Sequence, residues 1–247
     1  MDDKTHIVAL SGGKDSSALA LRLQEIEPRN YVYICTPTGD ELPEMEDHWQ
    51  CLSRLLGQPI LRLRDPKFPT IYDLIREFKM LPNWRARWCT RILKIETSQM
   101  FYDMVKPAVI YVGLRADEET RKGNKLFDEN IEQRFPMKEW GWGISDVRSY
   151  LDKKGVVIPR RTDCAMCFYQ RIGEWWNLWH DHQEIFQRIA DLENEIGHTL
   201  LSPGKWKNWP NKLDELSIEF AKGRIPRGAD TQGKLFNDNA KCRVCSL

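Results

Sequence analysis

The 247-residue sequence contains no apolar run long enough to span a bilayer, which takes about eighteen or more consecutive apolar residues. Its first residues, Met1-Asp2-Asp3-Lys4, lack the cationic and apolar regions of a secretory leader. These absences lead to the expectation of a cytoplasmic protein with no membrane partner. Charge of one sign is lacking too. Thirty-seven basic residues face 36 acidic ones, a net of +1, so no bulk field draws the chain to a polyanion and local clusters must carry any such contact. Seven cysteines are too few for a disulfide scaffold in a chain of this length, and four of them form two Cys-x-x-Cys pairs, which points to metal or redox chemistry. There is no internal repeat or low-complexity tract, and 223–233 is the most linker-like stretch.

What is present is an alternation of short apolar runs with helical patterns. Residues 5–10 read as a strand that stops at Ser-Gly-Gly, and 16–24 carries apolar residues at helical spacing. Further strands are predicted at 31–35, 59–63 and 108–112, with a helix at 44–56. Strands alternating with helices predict an α/β fold, a doubly wound, mostly parallel sheet covered on both faces. Ligands of such sheets bind beyond the carboxyl ends of the strands, so the loops after Leu10, Cys35 and Val112 should converge. Past about residue 170 the chain turns helical and rich in tryptophan, with Trp175, Trp176 and Trp179 followed by Trp206 and Trp209. The expected division is a domain over 1–160 and a helical, cysteine-bearing extension over 161–247. The tryptophans at helical spacing read as a buried face in preference to a stacking surface for bases. Residues 200–247 carry nine basic and five acidic residues, which permits a nucleic-acid contact without demanding one.

The loop after the first strand is Ser11-Gly12-Gly13-Lys14-Asp15-Ser16-Ser17. Two glycines let backbone N–H groups face inward, the following helix start adds a positive dipole, three serines can donate hydroxyls, and Lys14 adds a full charge. This is a phosphate site, and it fits neither the Walker A spacing nor the dinucleotide fingerprint. A second cluster lies at 82–94, where Arg85, Arg87, Arg91 and Lys94 surround Cys89 without an acid among them, a composition suited to phosphate or sulfate. Asp15, Asp40 and Glu118 are the candidate carboxylates for Mg²⁺ against a polyphosphate.

Ser-Gly-Gly-Lys-Asp-Ser-Ser directly after a strand resembles the signature of the PP-loop ATP pyrophosphatases. Within that superfamily the chain is similar to the phosphoadenosine phosphosulfate (PAPS) reductase family over about residues 5–170. The likeness is carried by Thr36-Pro37-Thr38-Gly39-Asp40-Glu41-Leu42-Pro43-Glu44, by the cysteine-basic segment 85–94, by Gly113-Leu114-Arg115 through Glu118 to Arg121, and by 136–151 with Trp140, Asp146, Val147 and Tyr150. The resemblance implies an adenine-nucleotide site, for ATP or PAPS, made by Ser11 to Ser17, Thr38, Gly39, Asp40, Arg87, Arg91, Lys94, Gly113 and Arg115. It also implies catalytic roles for Lys14 and Asp15.

The cysteines leave three readings open. Cys164 and Cys167 with Cys242 and Cys245 can supply a four-thiolate metal site, either a [4Fe–4S] cluster or zinc. Alternatively, Cys242 or Cys245, beside Lys241 and Arg243, is a redox nucleophile, with Cys89 a further candidate. Family members with a cluster carry a double cysteine where this chain has the single Cys89, and those without one end in a Glu-Cys-Gly-Leu-His tail where this chain has Cys-Arg-Val-Cys-Ser-Leu. Cys35 and Cys51 read as buried free thiols. The expected function is sulfur or adenylyl transfer from ATP or a sulfonucleotide. The alternatives are a thioredoxin-dependent PAPS/APS reductase and a non-catalytic nucleotide-binding interaction protein. The expected partners are the nucleotide, a sulfur donor or thioredoxin-like protein, a nucleic-acid acceptor in the transferase reading, and a second copy of the chain.

Overall fold

The computed structural model describes residues 3–121, 123, 128–202, 204, 206 and 208–231. Five strands form one all-parallel sheet: β1 (Thr5–Ala9), β2 (Tyr31–Cys35), β3 (Ile60–Arg62), β4 (Ala108–Tyr111) and β5 (Ile131–Arg134). They lie side by side in the order β3-β2-β1-β4-β5. The first four fall within the predicted runs. The fifth, Ile-Glu-Gln-Arg, has no apolar run to announce it because it is an edge strand with only Ile131 buried.

The helices follow in chain order as α1 (Lys14–Ile26), α2 (Pro43–Leu56), α3 (Ile71–Phe78), α4 (Trp88–Thr90), α5 (Thr97–Val105), α6 (Pro136–Glu139), α7 (Ile144–Lys153), α8 (Ile172–Asp181), α9 (Gln183–Ile196) and α10 (Leu213–Ala221). Between α4 and α5 the helix widens into a π segment, Arg91–Glu96, with the Thr97 hydroxyl donating to the Ile92 carbonyl at 2.9 Å.

Strand side chains alternate between the two faces of the sheet. Val8, Tyr33, Val109 and Tyr111 pack with Leu19 and Leu23 of α1, Met45 and Leu52 of α2, and Val147 of α7. Ile7, Ile34 and Ile110 face the other way, onto Tyr102 of α5. A further core joins α3 and the stretch around Trp88 to α8, α9 and α10. Trp175 and Trp176 are buried there and Trp179 packs on Phe220, as the helical spacing predicts. Glu193, 2% exposed, holds this region together: its two carboxylate oxygens accept from the N–H groups of Leu200 (2.7 Å) and Leu213 (2.8 Å), the latter at the start of α10. No helix among the described residues is long and apolar enough to cross a membrane.

Candidate active site

The turn between β1 and α1 is possible only with glycine at position 12. Its φ is +85°, and a Cβ there would fall 2.3 Å from Met45 Cε and 2.7 Å from Trp49 Nε1. Trp49 Nε1 instead donates to the Ser11 carbonyl at 3.2 Å, clamping the loop to α2. Gly13 caps α1 with no capping side chain, so the first N–H groups of the helix face the loop. The Ser16 hydroxyl accepts from Gly12 N–H (3.1 Å), donates to the Gly13 carbonyl (3.0 Å) and lies 3.0 Å from the Ser11 hydroxyl. Ser17 is fully buried beside His48 and supports the loop from beneath. Burial lowers the His48 pKa to about 4, so this imidazole is neutral at physiological pH.

Lys14, 7% exposed, lies 3.4 Å from Asp15 Oδ2, which also takes the Arg115 guanidinium at 2.8 Å. Asp15 Oδ1 is buried and has no hydrogen-bond partner among the described residues. Arg115 extends its Nε to Asp117 at 2.8 Å, and Glu118 binds the Arg121 guanidinium at 2.6 Å. Gly113 makes the crossing close: a Cβ on it would stand 3.2 Å from Asp15 C and Ser16 N.

The three predicted loops converge. A cleft of about 160 Å³ is lined by Leu10, Ser11, Gly13, Asp15 and Ser16 after β1, by Cys35 and Thr36 after β2, and by Val112, Gly113 and Leu114 after β4. It sits where the strand order reverses between β1 and β4, the usual ligand position in a doubly wound sheet. Arg121 and Ser98, the latter on α5, complete its wall. Nothing in the pattern around Ser98 marks it as a site residue; its place depends on how α5 crosses the sheet.

The loop after β2 leads from this cleft to the thiols. Thr36 lines the cleft, while Thr38, two residues on, lines a pocket of about 20 Å³ with Arg87, Cys89, Lys94, Cys164, Cys167 and Tyr169. Cys89 and Lys94 are five residues apart and share this pocket, the spacing that a π turn places on one face. The Arg87 guanidinium lies over the Tyr169 ring, and its Nε and Nη2 are buried without a hydrogen-bond partner among the described residues. Asp40 joins the loop to the cysteine turn. Its carboxylate accepts from the Met166 N–H (2.8 Å), the Tyr72 hydroxyl and Arg188 (3.2 Å), and its carbonyl accepts from the Ala165 N–H at 2.6 Å. Burial raises the Asp40 pKa.

The Cys164 thiol donates to Cys167 and keeps its own proton well above the usual thiol range. That hydrogen bond lowers the Cys167 pKa, which makes Cys167 the more acidic thiol of the pair. Burial raises the Cys89 pKa.

Not every expected residue reaches the cleft. Gly39 (φ +78°) shapes the turn, with its N–H on Glu41, and Asp40 points to the cysteine turn. Arg91 is exposed and paired with Glu96 at 2.7 Å, an acid just outside the 82–94 window, so the cluster is not free of counter-charge. Arg85 stacks on Trp84 at the surface. Of the three carboxylates expected for Mg²⁺, Glu118 is committed to Arg121 and Asp40 to the cysteine turn, while Asp15 lines the cleft and keeps one buried oxygen without a hydrogen-bond partner among the described residues. Cys242 and Cys245 lie outside the described residues. Among the described residues no group of three ligand side chains is already gathered around a metal position. Tyr72, Arg188, His48 and Trp49, which brace the two sites, carry no motif of their own.

Comparison with curated proteins found no match. Among solved structures, the chain is similar to the crystal structure of phosphoadenylyl-sulfate (PAPS) reductase from Candida auris in its phosphate complex, with a TM-score of 0.49 at 13% identity, covering 64% of this chain and 75% of that one. The family model for the phosphoadenosine phosphosulfate reductase domain matches residues 5–177, a span that takes in the phosphate loop, all five strands and both Cys164 and Cys167. The chain therefore belongs to the phosphoadenosine phosphosulfate reductase domain family.

Proposed function

We propose that the protein is an enzyme of sulfur chemistry that binds ATP or a sulfonucleotide in the cleft and transfers sulfur or an adenylyl group at the adjoining thiols. The observation that carries this reading is the gathering of Cys89, Cys164 and Cys167 with Arg87 and Lys94 in one pocket, connected to the cleft by the loop from Thr36 to Thr38. The phosphate loop would hold the polyphosphate on the N–H groups at the start of α1, with Lys14 balancing charge on the leaving pyrophosphate. The unpartnered Asp15 oxygen would help to hold a hydrated Mg²⁺, which would supply charge neutralisation on the phosphates. Cys164 and Cys167, hydrogen-bonded to each other in this pocket, would supply two thiolates to an iron–sulfur or zinc centre, whose remaining ligands would have to be brought to them. Arg87 and Lys94 would balance its negative charge or bind a sulfonate.

A second reading, sulfonucleotide reduction, is favoured by the hydrogen bond between Cys164 and Cys167, which makes Cys167 the more acidic of two adjacent thiols. The Cys167 thiolate attacks the sulfonate sulfur, the bond from sulfur to the phosphate oxygen breaks, and the nucleotide leaves with that oxygen. Cys164 then attacks the Cys167 sulfur, giving a Cys164–Cys167 disulfide and sulfite, and a thioredoxin-like dithiol restores the pair.

Anaerobically purified protein incubated with ATP plus a persulfide donor, or with PAPS or APS plus a dithiol, separates the two readings. Pyrophosphate release supports transfer and sulfite release supports reduction. Lys14→Ala should abolish either one by weakening nucleotide binding. Unchanged nucleotide affinity in Lys14→Ala would refute the placement of the phosphates.

A further inference from the structure

A second cavity, of about 860 Å³, is lined by residues of α7 and α8, by the segment 160–163 that precedes the cysteine turn, and by Trp206, Trp209 and residues between 226 and 230. It is several times larger than the nucleotide cleft and shares no lining residue with it. Five arginines contribute to its wall: Arg148, Arg160, Arg161, Arg171 and Arg227. They are not equivalent. Arg160 is held by Asp181 (2.5 Å) and Asp230 (3.5 Å). Arg161 donates from Nη2 to the Cys164 carbonyl, and its Nε is buried with no hydrogen-bond partner among the described residues. Arg171 and Arg227 are exposed and form no ion pair among the described residues. Three carboxylates, Asp163, Glu174 and Asp230, also line the groove, which leaves it net cationic without making it a uniform phosphate trap.

The remaining wall combines two tryptophans with aliphatic side chains, among them Leu42, Ile172 and Leu178. Trp206 and Trp209 are both half-buried, and Trp209 is fixed by Phe220 against one side and the Arg224 guanidinium 4.0 Å from its ring centre. The groove is also preformed. The main chain at Gly228 packs so closely on Gly173 of α8 that a Cβ there would stand 2.5 Å from it, and the Asp230 N–H donates to Asn177 Oδ1 at 2.8 Å. A lone phosphate or sulfate would fill only a small part of this volume. Cations at the rim, flat apolar rings within and a volume of several hundred Å³ suit a ligand that carries both phosphodiesters and unstacked bases.

We propose that this groove is an acceptor site for single-stranded nucleic acid. Arg171 and Arg227 hold its phosphates, and an unpaired base lies against Trp206, with Trp209 fixed behind it by Phe220 and Arg224. Arg161 ties the wall to the Cys164 carbonyl, so the strand would be seated beside the turn that carries the thiols. This site shares no lining residue with the nucleotide cleft, and its role as an acceptor site rests on the transfer reading, whereas strand binding is tested without it.

The test is fluorescence anisotropy of the full chain with a labelled single-stranded oligonucleotide, as DNA and as RNA, over a range of salt. It is run on wild type and on the double variant Arg171→Glu/Arg227→Glu. Both residues are exposed and form no ion pair among the described residues, so the variant should fold, and an unchanged melting temperature and unchanged affinity for a fluorescent ATP analogue would establish that it does. The expected result is saturable wild-type binding that is not displaced by ATP, at least about tenfold weaker in the variant, with a salt slope smaller by about 0.7 for each phosphate that the variant no longer neutralises. Equal binding by both proteins, displacement of the strand by ATP, or competition by an acidic peptide as strong as by the unlabelled strand would each overturn the proposal. Failure of ATP binding in the wild type would refute the nucleotide cleft and leave this test intact.

Discussion

Glu193 makes the stability of the tryptophan-rich layer depend on pH in a direction opposite to that of an ordinary paired carboxylate. Two backbone N–H donors favour its ionised form, but burial outweighs them and raises its pKa from 4.5 to about 7. Because the folded state binds this proton more tightly than the unfolded chain does, the contribution to stability is complete below pH 4.5 and is lost as pH rises through 7. A shift of this size corresponds to about 3 kcal/mol across that window. Glu193→Gln cannot titrate; it keeps one acceptor and turns an amide N–H toward the other donor, a pH-independent cost of about 1–3 kcal/mol. Urea unfolding of wild type and Glu193→Gln at several pH values from about 4.5 to about 8 isolates the effect, because the other titrations largely cancel in the difference. The stability of wild type relative to the variant should fall by about 3 kcal/mol from the acid to the alkaline end. A flat difference, or one that grows with pH, would refute the argument that burial dominates this carboxylate.

Gly113→Ala places a methyl 3.2 Å from the Asp15 and Ser16 backbone and should cost about 1–3 kcal/mol, felt chiefly as nucleotide affinity weakened about tenfold or more in calorimetry. Gly12→Ala combines a left-handed backbone with overlap against Met45 and Trp49, so its melting temperature should drop further than that of Gly113→Ala. Asp40→Ala strands the buried Met166 N–H and releases Tyr72 and Arg188. A loss of about 3 kcal/mol or more in denaturant unfolding is expected, with faster alkylation of Cys164 and Cys167. In metal-free protein, mass spectrometry should find Cys167 alkylated at lower pH than Cys164. In Cys164→Ala the half-point for Cys167 should move to higher pH, since the hydrogen bond that lowers it is gone.

The phosphate loop, four of the five strands and the convergence of their loops were legible in the sequence because each depends on residues adjacent in the chain: glycines that permit a turn, an apolar run that must be buried, a helix that must start where the turn ends. The burial of Trp175 and Trp176 was legible for the same reason, from helical spacing alone. The edge strand β5 was not, because a half-exposed strand needs no apolar run and is defined by the neighbour it pairs with.

Side-chain direction was decided by partners far away along the chain. Asp40 stands in a loop that looks made for a phosphate or a metal, yet its carboxylate is taken by Met166, 126 residues away. Arg91 sits among cations but finds Glu96 one helical turn on. Cys89 meets Cys164 and Cys167 only because the Thr38–Asp40 loop is hydrogen-bonded to the cysteine turn. The sequence by itself determined what chemistry the chain could hold, since that resides in residue types and local turns. Which of those groups share a cavity, and which are neutralised by a distant partner, was settled by the tertiary packing, because a charge or thiol acts on whatever the fold places within a few ångströms of it.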